Sequence, residues 1–190
     1  METIFGRNCR AIVSKNNGLA RMLAGPGEGA VLLEPAKSGD FTFRHKGLYF
    51  HSRYDPLKEA EAQAEEALKK KSDWIILFGL GCGYLLKTLI KKGREKIIVF
   101  EPGIEILRAV LEKIDLSEEF STGNVYICSD QNELVDLVLG KTEGMDDLLS
   151  YQSMPYKQAF AAEILEASNK VMIAHIIQIV GIKTAIQSRF

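Results

Sequence analysis

The stretch WIILFGLGCGYLLKTLI, residues 74–90, places Gly79, Gly81 and Gly83 at alternate positions between an apolar run and a leucine-rich segment. Glycines in such a turn let the backbone bend sharply and approach a ligand closely. Free amide hydrogens at the following helix N-terminus favour an anion or a polar group. Glu101 ends the next apolar run, 22 residues after Gly79, where a carboxylate can accept hydrogen bonds from ribose hydroxyls. Asp130 follows the third apolar run. With Glu133 it reads as a helix capping box. The predicted cofactor-binding set is Gly79, Gly81, Gly83, Glu101 and Asp130, with a ligand-free scaffold turn as the competing account. Cys82 reads as a small loop residue rather than a nucleophile, although a helix N-terminus lowers a thiol's pKa.

A second cluster, His51, Ser52, Arg53, Tyr54 and Asp55, lies where LYFHSRYDPLKEAEAQ hands a strand over to a helix. Asp55 and Pro56 suit the N-cap and first helical positions. A corner this rich in polar and aromatic groups also suits a substrate or domain contact, with His51 and Tyr54 on the rim of the pocket. His45, His51 and His175 stand in separate elements without metal-ligand spacing, and no serine occupies a Gly-x-Ser-x-Gly elbow. No metal site and no catalytic residue is predicted.

The spacing around the loop discriminates among ligands. A dinucleotide fingerprint needs glycine or alanine three residues after Gly81, and Tyr84 stands there, which disfavours nicotinamide cofactors. The alternate glycines, with an acid ending the second strand, resemble the first motif of S-adenosylmethionine-dependent methyltransferases, and that resemblance implies an adenine contact for Asp130; the capping reading is the stronger. Those enzymes carry Asp or Glu two residues before the first glycine, where this chain has Leu77, and no later DxxxxP stretch follows. Such a methyltransferase-like protein is the alternative reading.

The elements that must hold these residues fall into three zones. Residues 1–54 read as a small α+β subdomain: a short helical start, then AVLLEP, DFTFR and GLYFHSR as an antiparallel meander joined by the turns AKSGD and HKG. Residues 55–150 read as a Rossmann-like three-layer domain. A capped helix leads in, and WIILF, KIIVF and VYICS follow as buried parallel strands, with helices carrying Leu85, Leu86, Leu89 and Ile90 and then Ile104, Leu107, Val110, Leu111 and Ile114 on one face. Residues 151–190 read as a C-terminal helical segment, reached through the loop-like GMDDLLSYQSMPYKQ and helical from about Lys157. Its stretch Val171 to Ile182 is apolar nearly all round, which predicts burial. The fold class is α/β, and the absence of a closing strand suggests a piece of a longer protein.

The bulk numbers narrow the partners. In 190 residues, 46% hydrophobic and 26% charged, the net charge is −1 and the pI about 6.3. That balance points to neither a nucleic acid nor an anionic membrane surface. The longest apolar stretch is well short of the ~20 residues of a membrane span. Three cysteines without framework spacing and a start lacking a signal-peptide pattern fit a cytoplasmic protein.

HSRYDPLKEAE, IILFGLGCGYLL, IIVFEPGIEIL and MPYKQAF together resemble the N-terminal region of the motility accessory factor proteins of flagellated bacteria. HSRYDPLKEA is the more distinctive part, because the glycine loop is common to Rossmann-like folds. The resemblance implies involvement in flagellin glycosylation and flagellar motility, with nonulosonic sugars drawn from nucleotide-activated donors. It further implies an accessory domain of a glycosyltransferase that binds a nucleotide or nucleotide sugar, or that serves as a non-catalytic interaction domain. The transferase region of that family opens with a Gly-Pro-Ser stretch absent here, so the expected partners are flagellin, a downstream transferase domain, and a second copy met through the C-terminal helix.

Overall fold

The computed structural model describes residues 2–25, 31–142 and 147–187. Parts of the predicted segments, among them Ala30, residues 144–146 and the tail from residue 188, lie outside the described residues.

Two helices come first, α1 (Ile4–Val13) and α2 (Asn17–Ala24), capped by the side chains of Thr3 and Asn16. The meander follows as β1 (Leu33–Pro35), β2 (Phe41–His45) and β3 (Leu48–Tyr49), antiparallel in the order β1-β2-β3. Helix α3 (Pro56–Leu68) begins as the sequence predicts, with Asp55 accepting the Lys58 amide and Pro56 in the first turn. Its buried Pro56, Ala60, Ala64 and Ala67 form one face of small side chains, which lets the helix lie close to its neighbour.

The α/β unit then alternates β4 (Trp74–Phe78), α4 (Tyr84–Lys91), β5 (Ile97–Phe100), α5 (Ile104–Lys113), α6 (Ser117–Ser121), β6 (Val125–Cys128), α7 (Gln131–Lys141) and β7 (Leu148–Gln152). The four strands are parallel in the order β6-β5-β4-β7. Every residue of β4 and β5 is buried, as continuous apolar runs require when helices cover both faces. The β6 edge is closed by the turn between α1 and α2: Lys15 Nζ donates to the carbonyls of Thr122 and Val125, and Asn16 Nδ2 donates to that of Ile127. Unpaired strand edges invite association, and these side chains occupy the acceptors that would template it.

One strand departs from the sequence reading. Leu148–Gln152 was expected to be loop; it is a strand paired with β4, and it crosses the boundary drawn at residue 150. Its partly exposed residues and Ser150 mask the apolar signature of a covered strand. Within residues 1–54 the helices and the meander pack on different neighbours: Asn8, wholly buried, bonds the carbonyls of Leu111 and Ile114 and the amide of Leu116, pinning α1 onto α5 and α6. The meander instead packs on α8 (Met154–Ala159), where Phe50 meets Phe43 at 4.7 Å and Tyr156 at 4.8 Å between ring centroids.

The last helix, α9 (Ala161–Gln187), is the long one predicted. It rests on α7, burying Ile164, Ala167, Val171 and Ala174. The burial expected all round Val171 to Ile182 is not found: Met172, Ile173, Ile176 and Ile177 are each more than half exposed, Ile177 at 65%. Among the described residues no helix is long and apolar enough to cross a membrane.

Candidate functional site

The loop leaving β4 is held from inside the protein. Gly79 and Gly81 take φ of +101° and +55°, and at both a side chain is excluded by contact as well as by backbone angle. A Cβ at Gly79 would strike the Tyr156 ring, and one at Gly81 the His51 imidazole. The three amides that follow Gly79 all have partners. Leu80 N–H donates to Glu101 Oε2 at 2.8 Å, Gly81 N–H to the Tyr156 hydroxyl at 2.8 Å, and Cys82 N–H to His51 Nε2 at 2.8 Å. Glu101 Oε1 also accepts the amide of Gly103 at 2.9 Å, and Tyr156 donates its own hydrogen to Glu101 Oε2. Because His51 Nε2 accepts, its proton sits on Nδ1, 3.7 Å from Glu59 Oε2. Glu59 in turn accepts the Ser52 amide at 2.8 Å.

Burial sets the electrostatics. Complete burial pushes the Glu101 carboxyl up to about 7, against the hydrogen bonds from Tyr156, Leu80 and Gly103 that favour its charge. Burial, then the neighbouring Glu101, raises the Tyr156 phenol well above its usual range. Burial alone pushes the Cys82 thiol upward, so this residue is no thiolate nucleophile. Glu59 runs the other way: burial opposes its charge, but the neighbouring His51 and the hydrogen bond from the Ser52 amide leave it below the ordinary carboxylate range.

Distant elements bring these groups to the loop. Tyr156 is carried by α8 directly after β7, and its ring packs against both Phe50 and Phe160, at 4.8 and 5.8 Å. Tyr84, at the position where a dinucleotide fingerprint has a small residue, reaches back to the meander. Its hydroxyl accepts the Phe41 amide at 2.8 Å and donates to the Phe41 carbonyl at 3.0 Å. The departure from that fingerprint is thus the anchor between α4 and β2.

Of the predicted residues, His51, Gly79, Gly81 and Glu101 come together, but they face one another. The open cleft expected at the loop is replaced by a void of about 20 Å³ beside His51, Gly79 and Tyr156, room for one water. Gly83 begins α4 with Leu116 packed against it. Asp130 accepts the amides of Asn132 and Glu133 as the cap of α7. Glu133 does not close the reciprocal box; its carboxylate takes Asn16 Nδ2 at 3.1 Å. Tyr54 points away from the loop and lines a separate groove with Tyr49 and Arg53. Tyr156, Phe50 and Glu59 were not foreseen; the aromatic residues of MPYKQAF were the available signal. Among the described residues no cluster of His, Cys, Asp or Glu is arranged to hold a metal ion.

A family model described as the glycosyltransferase Maf N-terminal domain matches residues 17–162. The chain belongs to this family. Its architecture is similar to a solved Maf glycosyltransferase from Magnetospirillum magneticum AMB-1, with a TM-score of 0.58 at 14% identity over 88% of this chain and 35% of that one. The chain therefore spans about a third of that relative's length. A weaker similarity is to MNMC2 from Aquifex aeolicus, with a TM-score of 0.37 and 22% identity over 64% of this chain and 51% of that one. No curated protein matches.

Proposed function

We propose that this chain is the accessory N-terminal module of a Maf-type glycosyltransferase that modifies flagellin, and that its glycine loop is an internal latch rather than a catalytic or nucleotide site. The observation that carries this reading is the occupation of the Leu80, Gly81 and Cys82 amides by Glu101, Tyr156 and His51. A nucleotide, nucleotide sugar or S-adenosylmethionine would have to displace all three side chains to reach the same hydrogens. Leaving the buried Glu101 and Tyr156 without their partners in the process would cost about 1–3 kcal/mol per buried group.

In this reading the latch fixes α8 against the sheet, and so fixes where α9 starts. The exposed apolar face of α9 at Met172, Ile173, Ile176 and Ile177 is then the surface that meets the transferase region. Family membership supports the assignment to flagellin glycosylation, with the sugar chemistry supplied elsewhere in the enzyme.

The test is a clean in-frame deletion in the flagellated host, read by the intact mass of flagellin. The expected result is a loss of mass corresponding to whole sugar residues, with impaired swimming. Flagellin of unchanged mass overturns the proposal.

A further inference from the structure

The corner HSRYD is locked by backbone bonds that leave two of its side chains pointing outward. Lys37 N–H donates to the Arg53 carbonyl and Ser38 N–H to the Tyr54 carbonyl, both at 2.9 Å. Ser52 Oγ accepts the amides of Tyr54 and Asp55, each at 3.2 Å, and Thr42 Oγ1 donates to the His51 carbonyl at 2.9 Å. The corner is thereby fastened to the β1–β2 turn and to β2 without using the side chains of Arg53 or Tyr54.

Those side chains build a groove. With Lys37, Tyr49, Thr42 and Glu34 they line a cavity of about 570 Å³, separate from the glycine loop. Each tyrosine carries a cation on its face: Lys37 Nζ lies 4.4 Å from the Tyr54 ring centre, and the Arg53 guanidinium 4.9 Å from that of Tyr49. Tyr54 is 65% exposed. Among the described residues neither Lys37 nor Arg53 has a carboxylate within ion-pair distance. Two cations without a carboxylate partner, beside a Tyr54 ring that stays largely exposed, leave charge and aromatic surface that the ion pairs of the fold do not use.

We propose that this groove binds a ring-shaped ligand bearing a carboxylate or phosphate, which stacks on Tyr54 and pairs its anion with Lys37 and Arg53. Arg53 supplies a planar fork matched to either anion, and Lys37 a point charge. Glu34, which also lines the groove, offers an acceptor for hydroxyl hydrogens. The ligand chemistry is shared by sugar acids and nucleotides, which differ in the anion and in the flatness of the ring.

Calorimetric titration of the chain with glucuronic acid, with uridine 5′-monophosphate and with glucose tests it. At least one of the two anionic ligands should bind and glucose should not. The anion that binds identifies the source: a sugar acid alone, a nucleotide alone, or both. The double variant Lys37→Gln/Arg53→Gln should weaken that binding by about tenfold or more, the scale of one lost charged contact, and Tyr54→Ala should weaken it without altering the thermal unfolding midpoint. The proposal is overturned if neither anion binds at about 10 mM, a concentration that detects even feeble millimolar affinity. It is equally overturned if glucose binds as well as the anions, or if binding survives both variants unchanged. A ligand seated at the glycine loop instead would respond to His51→Ala and not to these substitutions, which separates this site from that one.

Discussion

Tyr156 donates its phenolic hydrogen to the Glu101 carboxylate across 55 positions of sequence, and both side chains are buried. The same hydroxyl accepts from Gly81, so one oxygen joins α8, the end of β5 and the loop after β4. Tyr156→Phe keeps the ring over Gly79 and deletes only that oxygen. It leaves the buried Gly81 amide without a partner and takes one of two donors from Glu101 Oε2, which keeps the Leu80 amide, at a cost of about 1–3 kcal/mol. Urea unfolding should show a lower midpoint with an unchanged slope, because the surface exposed on unfolding is the same. A midpoint equal to that of the parent chain would remove the latch from the account of stability.

Glu101 makes the stability depend on pH in an unusual direction. Its carboxyl titrates at about 7 in the folded chain against an ordinary 4.5, so the native state holds the proton more tightly than the unfolded one. Its contribution is then full below pH 4.5, falls as the pH rises, and is gone once the pH has passed through 7. Denaturation midpoints measured between those limits should therefore decline with rising pH. In Glu101→Gln this slope should flatten. The variant should also be less stable throughout, because both carboxylate oxygens accept N–H groups and a glutamine amide must turn its NH2 toward one of them. A variant whose pH slope matches the parent's would assign the titration to another group.

The backbone of this architecture is written in local patterns, while the site is not. Asp55-Pro56 announces α3, the apolar runs at 74–78 and 97–100 announce β4 and β5, and the meander follows its turn residues, because each rests on contacts near in sequence. The latch rests on pairs such as Gly81 with Tyr156 and Cys82 with His51, 75 and 31 positions apart, which no local periodicity encodes. Glu101 ends its strand where a ribose-binding acid would, and the same position serves equally to accept amides from within. The residue types were legible; whether their hydrogen bonds point outward or inward was fixed by α8, which stands after a strand that reads as loop.

Thiol labelling checks the same packing from another side. Cys82 and Cys128 are fully buried and Cys9 is half-buried. Burial raises all three thiols, with the nearby Arg108 offsetting part of the effect at Cys9 alone. A disulfide reagent at neutral pH should modify Cys9 slowly and leave the other two unmodified until denaturant is added. Rapid modification of Cys82 in the native chain would mean that the loop opens far more often than a closed latch allows.

The exposed face of α9 leads to a prediction about association. Met172, Ile173, Ile176 and Ile177 follow one another at helical spacing, and each is more than half exposed. Apolar side chains grouped this way are removed from water when a second apolar surface is offered, at roughly 25 cal/mol per Å² covered. Where the chain is studied by itself, the surface on offer is another copy. Sedimentation should therefore show an average mass that rises with concentration. Ile173→Glu/Ile177→Glu places two charges in the stripe without touching the buried face at Val171 and Ala174. It exchanges β-branched residues for a better helix former, so the helix and the thermal midpoint should be retained while the mass falls to that of a single chain. A parent chain that sediments as a monomer at every concentration would mean that water tolerates this stripe, and the contact assigned to the transferase region would lose its physical motive.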